Sequence, residues 1–174
     1  MTSITNKAAL WCALVHVVLS RPDGLPWPDS CESLSPGNNV PPQTGPMPFE
    51  LSIDDNKITW DGCIYITIKG QEPEQFAGFM VQARDNKTGA VVGYFREADD
   101  VKLMNCFGKP ENTAININYL PKDEVIMRWF PDNRYTGIVH IYATIAKDYM
   151  EQVYWLKQRT KPIKVIRSKD VFYE

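Results

Sequence analysis

Six basic residues, Lys157, Arg159, Lys161, Lys164, Arg167 and Lys169, fall within residues 157–169, and no acidic residue separates them. Lys157, Arg159 and Lys161 recur at every second position, so in an extended chain they share one face. Three cations on one edge suit a polyanion, and a guanidinium at 159 can grip a single phosphate or sulfate through two parallel hydrogen bonds. Segment 157–174 carries a net charge of +4, whereas residues 21–156 carry −7. The overall charge of −2 therefore conceals an acidic body joined to a basic end. Lipopolysaccharide phosphates, lipoteichoic acid and heparan-type glycans are the ligand chemistries this charge pattern fits. An edge strand or tail kept soluble by charge would leave the same signature.

Other chemistry has less to stand on. Beyond residue 20, His140 is the sole histidine. In Val139-His140-Ile141-Tyr142 it occupies the face opposite Val139 and Ile141, and no Gly-x-Ser-x-Gly signature supplies a nucleophile for it. It reads as a satisfied strand histidine, and no enzyme activity is expected. The cysteines have no zinc-ligand spacing. Asp54-Asp55 and Asp99-Asp100 read as solvated turn residues rather than calcium ligands. No Gly-rich phosphate loop is present, so no cofactor or metal is expected. Asn86-Lys87-Thr88 is an N-x-Thr sequon inside a turn cluster, which predicts a glycan on Asn86. Nucleic acid is disfavoured because the body is acidic and no nucleic-acid-binding motif accompanies the basic run. Trp60, Phe95, Trp129 and Trp155 read as core aromatics rather than a sugar-stacking platform.

These residues must be positioned by a scaffold, and the chain begins with an address rather than with that scaffold. Residues 8–19 form an apolar run of twelve after the polar, Lys7-bearing start. That is short for a membrane span, which needs about 20 residues. Val18 and Ser20 fit the small positions of a cleavage site, and Arg21-Pro22-Asp23-Gly24 breaks any helix. Residues 1–20 read as a secretory signal peptide, and the product as extracellular with no transmembrane segment. Four cysteines suggest two disulfides, but cleavage removes Cys12 and leaves Cys31, Cys63 and Cys106. Three cysteines in an oxidising compartment mean one bridge plus an odd thiol, or an intermolecular link.

Eight of the thirteen prolines lie in residues 21–48, which read as an irregular arm. From Phe49 onward, apolar residues alternate with polar ones in short runs separated by Gly, Pro, Asn or Asp. The runs are 49–53, 57–60, 64–69, 79–84, 90–96, 101–106, 114–119, 124–130, 138–147 and 152–156. Period-2 alternation rich in β-branched and aromatic residues predicts about eight or nine strands in an antiparallel β-sandwich. Ala90–Arg96 reads as the strand returning from the Asp85–Gly89 turn.

Several strings along these strands are distinctive. Cys31 precedes Ser35-Pro36-Gly37 and Pro41-Pro42-Gln43. Gly78-Phe79-Met80-Val81-Gln82-Ala83-Arg84 is followed by Val92-Gly93-Tyr94-Phe95 and by Leu103-Met104-Asn105-Cys106. Trp129 and Pro131 precede Gly137-Ile138-Val139 and Ala143-Thr144, and Tyr154-Trp155 closes the series. The set resembles the reeler domain over residues 31–166, and in particular the short secreted insect-type defense proteins built from that domain alone. The resemblance implies an all-β, immunoglobulin-like sandwich and a disulfide between Cys31 and Cys106, with Cys63 left as a free or intermolecular thiol. It also implies a non-enzymatic role in innate immunity, binding microbial surface components such as lipopolysaccharide, lipoteichoic acid and β-glucan, or immune cells. An extracellular-matrix or adhesion module binding glycosaminoglycan is the alternative. Asn38-Asn39 stands where many family members carry a histidine.

Overall fold

The computed structural model describes residues 29–37, 40–148 and 152–168. The signal peptide assigned to residues 1–20 lies outside them, as do Asn38-Asn39 and all but the first two residues of the C-terminal tail expected at 167–174. Among the described residues one helical turn, α1 (Ser30–Ser33), precedes eleven strands. These are β1 (Phe49–Ile53), β2 (Lys57–Thr59), β3 (Ile64–Gly70), β4 (Gly78–Asp85), β5 (Tyr94–Arg96), β6 (Val101–Cys106), β7 (Lys109–Asn116), β8 (Glu124–Phe130), β9 (Gly137–Ala146), β10 (Tyr154–Arg159) and β11 (Ile163–Ile166).

The strands form two layers. A four-stranded sheet runs β1-β3-β8-β5, and a seven-stranded sheet runs β2-β11-β9-β4-β7-β6, with β10 also paired to β9. Alternation decides which side chains meet between them. Ile64, Ile66, Ile68, Phe95, Met127 and Trp129 point inward from the small sheet and are sealed from solvent. Phe79, Val81, Ala83, Val139, Ile141, Ala143 and Ile145 answer from the large sheet. The indole N–H of Trp129 donates to the Val92 carbonyl at 3.0 Å, so its one polar atom is satisfied inside the core.

The all-β sandwich read from the sequence is the fold, with differences that have local causes. Ala90–Arg96 does not return as one strand beside β4. After a single bridge between Val91 and Arg84, Gly93 takes a left-handed φ of +72°. The chain there crosses to the other sheet, where Tyr94–Arg96 pairs with β8. The strand expected at 114–119 begins earlier, at Lys109, and ends at Asn116. Pro110 and Glu111 disguised its first half. The turn that sets its register is Phe107-Gly108, whose φ values of 55° and 73° have the sign a tight two-residue hairpin requires. Ile163–Ile166, absent from the expected strands, inserts between β2 and β9. It runs parallel to β2, the exception to the antiparallel expectation.

Candidate functional site

The basic segment lies on β10 and β11, which follow one another along the same side of β9. On β9, Val139, Ile141, Ala143 and Ile145 face the core, so Ile138, His140, Tyr142 and Thr144 face outward. Trp155 opposes Ile145, and Ile163 and Val165 oppose Val139 and Gly137, so odd-numbered residues at both ends of the segment point inward. Strict alternation would send Lys157, Arg159 and Lys161 inward with them.

Two irregularities prevent this. The register slips by one residue between Trp155 and Gln158, where Lys157 takes a positive φ of 49°. Its backbone N–H donates to the Thr144 hydroxyl at 3.2 Å, which sets this bulge opposite an outward residue of β9. Beyond it Gln158 opposes Ala143 and Arg159 opposes the outward Tyr142. The register slips again before Ile163, which opposes Val139. Between the slips, the Thr160 amide donates to Ile141 at 3.0 Å and its carbonyl meets His140 Nδ1 at 2.9 Å. Lys161 and Pro162 thus occupy the second bulge, opposite His140. Each bulge inverts the parity of the strand. The first turns the cations outward, and the second returns Ile163 and Val165 to the core.

Lys157, Arg159, Lys161 and Lys164 are all exposed, and none of these four has a carboxylate partner among the described residues. Lys164 opposes Ile138 on the outer face. Lys164 and Arg167 border a shallow groove of about 390 Å³ that also includes Thr136 and Ile138. Arg167 leaves the strand, and its guanidinium sits 5.9 Å from the Trp60 ring centroid. Lys157, Arg159 and Lys161 thus all point to solvent, and the first bulge is what gives them that direction.

A second polar cluster anchors the N-terminal arm to the same outer face. Cys31 and Cys106 are disulfide-bonded, with Cα atoms 5.5 Å apart. Around the bridge Leu34, Met80 and Ile115 form a small second core, with Tyr142 and Leu156 packed against it. Gln82, fully buried, donates to the Cys31 carbonyl at 3.1 Å and to the Thr113 hydroxyl at 3.0 Å. Arg84 donates to the carbonyls of Cys31 and Glu32 at 2.8 and 2.9 Å, and through Nε and Nη2 to Gln82 Oε1 at 3.1 and 2.8 Å. Gln82 and Arg84 of the distinctive β4 string thus bind the arm. Alternation puts them on the face of β4 opposite Val81 and Ala83. The signal that could have revealed them is their position on a strand whose other face is wholly apolar, opposite a cysteine-tethered arm.

The remaining candidates occupy plain structural roles. His140 is buried, and because a carbonyl faces its Nδ1, that nitrogen carries the proton and donates. Asp54 and Asp55 accept backbone N–H groups from Tyr65 and Lys57. Among the described residues no group of three or more His, Cys, Asp or Glu side chains could hold a metal ion. Asn86 is exposed in the β4–β5 turn, and its backbone N–H donates to the Ile138 carbonyl at 2.8 Å. Asp85 organises that turn by accepting from the Lys87 and Thr88 amides and the Thr88 hydroxyl. The Tyr135 hydroxyl donates to its other oxygen at 2.5 Å. The Tyr135 hydrogen bond, followed by those within the turn, holds the Asp85 carboxyl at a pKa of about 2, against the partial desolvation that would raise it. Cys63 is a half-buried free thiol. Phe95, Trp129 and Trp155 are buried core residues, and Trp60 is half-buried. No helix among the described residues is long and apolar enough to cross a membrane.

Two β-sheets face to face, an arm tied to the outer face by a disulfide, and an outward cationic strand define a disulfide-stapled β-sandwich domain. The reeler domain family model matches residues 29–171, and the chain belongs to that family. It is 31% identical over 150 residues to putative defense protein 3 of Antheraea mylitta, covering 85% of this chain and 88% of that protein. It is likewise 31% identical over 172 residues to a putative defense protein of Bombyx mori, covering 91% and 97%. A putative ferric-chelate reductase 1 homolog of Drosophila melanogaster is 31% identical over 173 residues, but the match spans only 26% of that protein. Among solved structures, the human F-spondin reeler domain (fragment 1) superposes with a TM-score of 0.59 at 17% identity, covering 72% of this chain and 94% of that one.

Proposed function

We propose that the chain is a secreted, non-enzymatic defense protein that captures polyanions of microbial surfaces on β10 and β11. The coarse part of this reading, a defense-type reeler protein, rests on the family match and on relatives matched over most of their length. The finer part rests on one observation: two bulges in a ten-residue stretch of β10 and β11 invert the strand's parity around the basic residues. Bulges weaken pairing and typically re-aim side chains where function needs them. Here they aim Lys157, Arg159, Lys161 and Lys164 at solvent, with no carboxylate partner among the described residues. Lipid A phosphates and lipoteichoic acid offer the matching charge. The Asn86 sequon and the hydrophobic leader at 8–19 support export, and a glycan at Asn86 belongs to the same reading.

The test is capture of the protein, expressed with its own leader and recovered from medium, on beads bearing lipopolysaccharide, lipoteichoic acid, heparin or β-glucan. Capture on the first two, little on neutral β-glucan, and loss on replacing Lys157, Arg159 and Lys161 by Ala is the expected pattern. Undiminished capture of that triple variant would remove the strand from the mechanism. Retention by heparin alone would favour a matrix or adhesion role. Failure of the protein to reach the medium would count against export.

A further inference from the structure

The small sheet carries a separate charge anomaly on its outer face. Arg96 of β5 and Arg128 of β8 are direct cross-strand partners, and Tyr65 of β3 opposes Arg128 from the other side. Like charges directly opposite in an antiparallel pair destabilise a sheet. Arg96 is partly neutralised by Glu111 at 3.5 Å, and its guanidinium lies 5.0 Å from the Tyr94 ring centroid. Arg128 is exposed and has no carboxylate partner among the described residues. It borders, with Arg96, Glu97, Glu111 and Phe130, an open groove of about 420 Å³ between this sheet and the β6–β7 hairpin. Tyr65, the cross-strand neighbour of Arg128 on β3, is 44% exposed.

We propose that this groove binds a carboxylate-bearing saccharide, such as a uronic-acid oligomer, independently of the basic strand. The parts have complementary tasks. Arg128 supplies a free planar fork for a carboxylate, a geometry a point-charge lysine does not provide. Glu97 and Glu111 present acceptors for sugar hydroxyls. The Tyr65 ring offers an apolar face against which a sugar ring can lie. The unpaired Arg128 argues for an anionic group, and the two glutamates, which bring the lining to net zero, argue against a densely charged ligand. A phosphate- or sulfate-rich polymer would meet repulsion from Glu97 and Glu111 at many of its charges, whereas a single carboxylate can be taken by Arg128 while Arg96 stays paired with Glu111.

The probe is a glucuronate-containing tetrasaccharide, with a neutral tetrasaccharide of the same length as control, titrated calorimetrically into the full chain. Binding of the acidic sugar alone is expected, weakened about tenfold or more by Arg128→Ala, since hydrogen bonds to charged groups are the strong ones. Tyr65→Ala should weaken it as well, and the Lys157/Arg159/Lys161→Ala variant should bind like wild type. Both single sites are exposed, and an unchanged thermal unfolding midpoint would show that the variants are folded. The proposal is overturned if the acidic tetrasaccharide does not bind, if the neutral one binds equally, or if Arg128→Ala has no effect. It is also overturned if the wild type sediments as a dimer that Tyr65→Ala dissociates, because the face then pairs two copies of the chain.

Discussion

Replacing Arg84 by Ala should loosen the arm from the sandwich although Arg84 lies on the face of β4 turned away from the core between the sheets. Its side chain is only 11% exposed and makes four hydrogen bonds, two of them to arm carbonyls. The ion pair with Glu32, at 3.7 Å, contributes little because Glu32 is 77% exposed. After truncation the Cys31 carbonyl keeps Gln82 as donor, and the Glu32 carbonyl can find water. Gln82 Oε1 cannot, since the residue is fully buried and both of its donors are gone. An orphaned buried acceptor costs about 1–3 kcal/mol, and the lost charge-assisted bonds add to it, giving roughly 2–4 kcal/mol. In a domain of this size that lowers the unfolding midpoint by roughly 5–15 °C. Urea unfolding under oxidising conditions, with the disulfide intact, measures it directly. Arg84→Lys should fall between wild type and Ala because one ammonium cannot reach all three acceptors. The Gln82→Ala/Arg84→Ala double variant should cost less than the sum of the singles by about 1 kcal/mol. A cost below about 0.5 kcal/mol for Arg84→Ala, or strict additivity, would refute the anchoring role.

Two further outcomes follow from the geometry. Because the Asp85 carboxyl titrates at about 2 in the folded chain against an ordinary 3.8, its stabilisation is complete above about pH 4 and is lost as pH falls toward 2. Burial and the same hydrogen bond raise the Tyr135 phenol, so its contribution to stability is lost progressively as pH rises above about 10. Tyr135→Phe should flatten the acid limb of the stability–pH curve, and an unchanged limb would show that this pair does not govern it. Gly93→Ala should destabilise by roughly 3 kcal/mol or more, read by thermal unfolding. A Cβ there would lie 2.2 Å from the Phe130 carbonyl oxygen and 2.5 Å from Trp129 Nε1 in a left-handed conformation.

The sandwich was legible because its core strands obey one rule. Ile64, Ile66 and Ile68 alternate cleanly, as do Val125, Met127 and Trp129, since each strand has one face on the core and one in solvent. Legibility failed where that rule has an exception. β4 is buried on both faces, because the arm covers Met80 and Gln82, and alternation alone does not reveal a second buried face. β11 offers only Ile163 and Val165 as inward residues after Pro162, too short a pattern to separate from a charged tail. The basic residues were visible by type, but their direction depends on two bulges that no alternation rule encodes. Arg96 and Arg128 are 32 positions apart, and only the pairing of β5 with β8 sets them side by side.

The central claim is that the bulged strand, and not the protein's charge at large, holds the polyanion. The decisive measurement is the affinity for immobilised lipopolysaccharide as a function of sodium chloride, compared between wild type and the Lys157/Arg159/Lys161→Ala variant. Each phosphate-bound cation releases about one counterion, by analogy with nucleic acids, so removing three should flatten the slope of log affinity against log salt by about 2–3. A steep wild-type slope that collapses in the variant is the result this account predicts. Equal slopes in the two proteins, at equal affinity, would contradict it.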